Sequence, residues 1–102
     1  MSNFKELENS VLIWANERGL LQPGNHKAQF LKFIEESGEL ARGILKQDSE
    51  LISDSFGDVL VTLIILAEQL NYDLLECLNG AYEEIKEREG KTINGTFIKN
   101  DK

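Results

Sequence analysis

The chain has 102 residues, 41% hydrophobic and 28% charged, with a formal net charge of −7. That length suits one domain with a single core, and the composition is that of a folded globular protein. The acidic balance argues against a general nucleic-acid or anionic-membrane surface, since both need clustered Lys and Arg.

Residues 3–18 read as a first helix, with Leu7, Val11, Leu12 and Trp14 on or near one face. Gly19 ends it, and residues 19–24, with Pro23, form a loop. Asn25 is the expected N-cap of a second helix over 26–47. Asp48 or Ser49 caps a third over 49–70, with Glu50 favourably placed in its first turn. The middle of this third segment is apolar on nearly every side and rich in Val and Ile, so a buried strand is the rival reading. Its uninterrupted length decides for a helix. A helix apolar all round must be surrounded, and three other short helices can hardly do it, so a second subunit is expected to help. Asn71 and Tyr72 break the pattern. Asp73-Leu74-Leu75-Glu76 is a capping-box signature opening a fourth helix over 74–88, which carries Leu74, Leu78, Ala81, Tyr82 and Ile85. The tail, 89–102, holds Asn94-Gly95 between Thr92-Ile93 and Thr96-Phe97-Ile98, a short hairpin or turn signal. Phe97 and Ile98 are expected to tuck against the helices. The predicted fold is therefore all-α: one domain over 1–102, a four-helix bundle completed by oligomerisation, with a short irregular or hairpin tail.

The acids are not spread evenly over these helices. On the second, Gln29, Lys32, Glu36, Glu39 and Gly43 fall within about 80° of one another at 100° per residue. The apolar arc of that helix begins right beside Glu36. On the third, Asp54 and Asp58 are one turn apart and share a face with Leu51, Thr62 and Ile65. Carboxylates that border an apolar surface are drawn toward the packing interface. Two of them 5 Å apart repel by about 3 kcal/mol at an effective dielectric near 20, and more of them would push a pKa upward. A hard divalent cation between the helices removes that cost, and Mg²⁺ completes its oxygen shell with water and substrate phosphates. Such an ion also lets an acidic chain accept a polyphosphate. The plainer alternative is that each acid is a solvated surface residue.

Cys77 is the one cysteine, so no intrachain disulfide forms, and among Leu74, Leu75 and Leu78 it is expected to be a buried, inert thiol. With His26 the one histidine, neither a zinc site of the usual kind nor a Ser-His-Asp triad can be assembled. Lys5, Glu6 and Glu8 stand where a signal peptide needs apolar residues. The apolar run 59–67 is too short to span a bilayer. The cytoplasm is the expected compartment.

Glu35-Glu36-Ser37-Gly38-Glu39-Leu40-Ala41, followed by Gly57-Asp58-Val59-Leu60 at the head of an apolar helix, resembles the MazG-like nucleotide pyrophosphohydrolases. These are all-α proteins of the superfamily that also holds dimeric dUTPases and phosphoribosyl-ATP pyrophosphatase. Trp14, Gln29 and Lys32 ahead of the acids, Arg88-Glu89-Gly90-Lys91, and Asn94-Gly95-Thr96-Phe97-Ile98-Lys99 are similar to a compact, phage-type subgroup. The family pattern is EExxE followed by ExxD. Its first half is intact; in the second, Ser55 stands where Glu is expected, with Asp54 just before it. The resemblance implies Mg²⁺ (or Mn²⁺) held by Glu36, Glu39 and Asp58, with Asp54 as a fourth ligand. It makes Glu35, Glu36 and Glu39 the catalytic acids, Glu35 orienting a ligand or water or serving as general base. It implies a nucleoside triphosphate substrate cleaved to monophosphate and pyrophosphate by a homodimer or homotetramer. Lys32, Arg88, Lys91 and Lys99 are the candidate phosphate-binding cations, and Trp14, Gln29 and Asn94 the candidate base or sugar contacts. The alternative, favoured by Ser55, is a catalytically silent helical oligomer that binds nucleotide or a partner protein.

Overall fold

A computed structural model describes residues 3–100. The protein is all-α apart from a terminal hairpin: α1 (Phe4–Glu17), α2 (His26–Lys46), α3 (Ser49–Gln69), α4 (Leu74–Ile85), then β1 (Gly90–Ile93) and β2 (Thr96–Lys99). The chain divides into two compact units, Met1–Tyr72 and Asp73–Lys102.

In the first unit the helix ends are written by local hydrogen bonds. Asn3 and Glu6 form a reciprocal capping box, the Asn3 side chain accepting from the Glu6 N–H at 2.9 Å and Glu6 Oε1 accepting from the Asn3 N–H at 3.1 Å. Together they satisfy two of the donors a helix start leaves unpaired. Gly19, at φ +72°, stops α1. Its N–H donates to the Asn16 carbonyl and the Leu20 N–H reaches back to Ala15 at 3.0 Å, the Schellman pattern that favours glycine in the left-handed region. Asn71 (φ +66°) closes α3 in the same way, with the Tyr72 N–H on the Ala67 carbonyl.

Asn25 corrects one expectation. It makes no side-chain cap to α2. Its amide instead donates to the carbonyls of Gly19 and Leu20, both at 3.3 Å, closing the loop before the helix. Of the two candidates for capping α3, Asp48 does so, accepting from the Leu51 N–H. Only Gln47 and Asp48 separate α2 from α3. Gln47 takes the left-handed conformation (φ +55°) and the Asp48 N–H caps the Gly43 carbonyl, so the pair forms a tight αα-hairpin. Gly43 is buried against the first turn of α3: a β-carbon there would stand 3.2 Å from Ile52 and Leu51.

Ala15, Ile64 and Ile65 are the buried hydrophobic residues, joined by Glu8, Ser55 and Thr62. The Gln69 amide donates to the Leu20 carbonyl at 2.7 Å, tying the end of α3 to the loop after α1. Around this small core, large side chains of α2 and α3 stay half exposed or more: Phe30, Leu31, Ile34, Phe56, and Leu45 at 85%. An apolar cleft of about 490 Å³ lies between Phe30 and Leu31 of α2 and Leu66 and Leu70 at the end of α3.

In the second unit Asp73 caps α4 by accepting from the Glu76 N–H. The helix stops at Ile85, short of the expected residue 88, and residues 86–87 turn toward the hairpin. β1 and β2 pair antiparallel, Gly90 opposite Lys99 and Ile93 opposite Thr96. Asn94 (φ +51°) and Gly95 (φ +82°) make the two-residue connection, the conformation that selects Asn-Gly in hairpins. Cys77, expected to be buried, is exposed, and Phe97 and Ile98 are about half exposed. An apolar stripe on a helix records a need for cover, not its provision. Among the described residues no helix is long and apolar enough to cross a membrane.

Candidate functional site

A cavity of about 420 Å³ opens in the first unit, lined by Trp14 and Leu20 from α1 and the following loop, by Ala28, Gln29, Lys32 and Glu36 from α2, and by Asp58, Val61, Thr62 and Ile65 from α3. The helical period explains the lining. Gln29, Lys32 and Glu36 recur every three to four residues down one face of α2, and Asp58, Thr62 and Ile65 do so on α3. The floor is apolar or internally satisfied, since the Thr62 hydroxyl donates to the Val59 carbonyl at 2.7 Å.

Five of the residues singled out in the sequence therefore meet here: Trp14, Gln29, Lys32, Glu36 and Asp58. Trp14 is 45% exposed, and the Arg18 guanidinium stacks on its ring at 4.4 Å. Glu36 is the most sheltered of the α2 acids, its side chain 18% exposed. Lys32 Nζ sits 3.0 Å from Glu35 Oε1 and 3.6 Å from Glu36 Oε2. The hydrogen bond to Glu35, aided by the charges of Glu35 and Glu36, holds the ammonium above the ordinary lysine range.

The other predicted acids lie off this lining. Glu35 is exposed and held by Lys32. Glu39, half-buried one turn further on, is bound by Arg42 Nη2 at 2.6 Å, a pairing whose i, i+3 spacing was legible in the sequence. Asp54 is exposed, and Ser55 beside it is 2% exposed. Among the described residues, no three His, Cys, Asp or Glu form a group suited to a metal ion. The donor set still fits one hard cation, because Mg²⁺ is commonly held by one or two carboxylates and takes its remaining oxygens from water and phosphate. Glu36 and Asp58 supply two such carboxylates from two helices.

Arg88, Lys91, Lys99 and Asn94 belong to the second unit. Arg88 pairs with Glu84 at 3.6 Å, Lys91 and Lys99 are exposed on the strands, and Asn94 is part of the turn. Sequence reasoning did not assign Leu20, Ala28 or Val61 to the site. Val61 lies one turn from Asp58 and was recoverable from spacing. Leu20 and Ala28 depend on how the loop folds back, which no periodicity encodes.

Residues 25–93 match the family model described as the MazG nucleotide pyrophosphohydrolase domain. The chain is also 37% identical over 73 residues to an "uncharacterized 18.2 kDa protein in rep-hol intergenic region" of Haemophilus phage HP1. That alignment covers 72% of this chain and 45% of the relative, so the chain spans less than half of the relative's length. No solved structure matches the chain.

Proposed function

Because the chain belongs to the MazG nucleotide pyrophosphohydrolase domain family, we propose that it cleaves nucleoside triphosphates, deoxy or ribo, to a nucleoside monophosphate and pyrophosphate with Mg²⁺. The observation that carries this reading is the cavity itself, which gathers two carboxylates, an ammonium, an amide and an indole on three helical segments. In this reading Glu36 and Asp58 would hold the ion, with Glu39, once released from Arg42, and Asp54, one turn from Asp58, as further ligands. The ion, when bound, neutralises triphosphate charge and lowers the pKa of an attached water. Glu35 or a neighbouring carboxylate accepts the proton of the attacking water. Lys32 meets phosphate oxygens, while Trp14 and Gln29 border the nucleoside. Anhydride cleavage asks mainly for positioning and neutralised charge, which these groups can provide.

The test is incubation with the standard and several modified nucleoside triphosphates in Mg²⁺, with pyrophosphate release as the readout. Release from at least one of them is expected. Nucleotide binding without turnover on any would favour the silent-oligomer reading, to which Ser55 in the place of a family carboxylate points.

The partner we propose is a second copy, in a homodimer or homotetramer. Extended apolar surface on a soluble domain marks an association site, and Phe30, Leu31, Leu45 and the adjoining apolar cleft provide it. Sedimentation velocity is expected to give two or four times the chain mass. A single species at the chain mass, up to high concentration, would exclude this.

A further inference from the structure

Lys32 is shared between two acids, and only one of them lines the cavity. Its ammonium bridges Glu35 at 3.0 Å and Glu36 at 3.6 Å, and Lys32, Glu36 and Asp58 all face the same space. Across that space Asp58 takes part in no ion pair among the described residues. The free chain therefore meets an arriving cation with one carboxylate open and the other already matched. An ammonium at ion-pair distance competes with any other cation for the same oxygens, so a divalent ion reaching Glu36 must displace it. Lysine is a point charge on a flexible four-carbon stem. Once displaced, its charge stays within reach of the cavity and of any anion that enters.

We propose that Lys32 is a resident counter-cation: it occupies Glu36 in the free chain and transfers its charge to phosphate oxygens when a divalent ion takes the carboxylate. Ion and polyphosphate then bind with mutual assistance, and the ion alone binds weakly. The inference rests on the reading of the cavity as a cation-and-triphosphate site and adds the coupling between its two ligands. Arg42 neutralises Glu39 in a similar way but does not line the cavity, so the same role is not assigned to it.

The experiment is titration of the full chain with Mn²⁺ alone, followed by the spectroscopic signal of the free ion, for wild type, Lys32→Met and Lys32→Arg. Lys32→Met is expected to bind Mn²⁺ about twofold to fivefold more tightly, the range for a part-exposed ion pair, and Lys32→Arg to stay near wild type. A triphosphate analogue bridged by a methylene between the α and β phosphorus, titrated at saturating Mg²⁺, is expected to bind Lys32→Met more weakly. A merely structural lysine would move both affinities in one direction; opposite shifts are the signature. Mn²⁺ binding no tighter in Lys32→Met, or absent from all three proteins at millimolar ion, overturns the proposal. Turnover by wild type reports on the hydrolase reading separately. Opposite shifts without turnover keep the counter-cation and remove the enzyme, and turnover without them does the reverse.

Discussion

Glu36→Gln is expected to lower pyrophosphate release by about a thousandfold, the scale of losing a charged group that stabilises the reacting centre, while the thermal transition stays close to wild type. The substitution keeps the side chain's size and removes its charge. Of the acids on α2, Glu36 alone lines the cavity, and it is the most sheltered. Glu39→Gln is expected to follow it in severity. Asp54→Asn should be the mildest of the three, because Asp54 is exposed and off the lining. Steady-state rates with Mg²⁺ and a saturating triphosphate, read beside circular dichroism, give the ranking. Near-normal turnover by Glu36→Gln would remove that residue from the site and leave the cavity without its assigned chemistry.

Ile65→Ala should cost about 2–5 kcal/mol of folding free energy, the range for truncating a large buried aliphatic side chain. Ile65 is 2% exposed, at the centre of a core with few other fully buried members. A domain of this size has only about 5–15 kcal/mol to lose, so the variant is expected to unfold at clearly lower denaturant. Because Ile65 also lines the cavity, the loss should weaken nucleotide binding even where the variant remains folded. Urea unfolding followed at two wavelengths measures the first effect. A change under about 1 kcal/mol, outside that range, would mean the core does not depend on this residue.

What the sequence made legible was whatever short-range chemistry decides. Asp48 and Asp73 cap because a carboxylate three residues from a free N–H has little else to do. Gly19 and Asn71 stop helices because they tolerate positive φ. The stripe Gln29–Lys32–Glu36 follows from the helical period alone. Asn25 was misread because its amide answers to the carbonyls of Gly19 and Leu20, a demand set by the path of the loop. That only two of the four acids, Glu36 and Asp58, line the cavity was likewise not visible: spacing places Glu39 on the right face, but it also places Arg42 within reach of it. Which of two legal partners a side chain takes is a matter of energies that a linear pattern does not rank. Cys77 shows the same limit for burial.

The two-residue bend between α2 and α3 acts as a ruler. Glu36 stands eleven residues before Gln47, and Asp58 stands ten after Asp48, so each carboxylate rides about 15 Å up its own helix from the fold-back point. Gln29 and Ile65 match in the same way further along, and Gly43 and Ile52 nearer in. The site is thus a mirror drawn about residues 47–48. Adding one residue within α2, between Glu36 and this bend, would offset the two halves by about 1.5 Å and 100°, pulling apart groups that no contact at the cavity itself could realign.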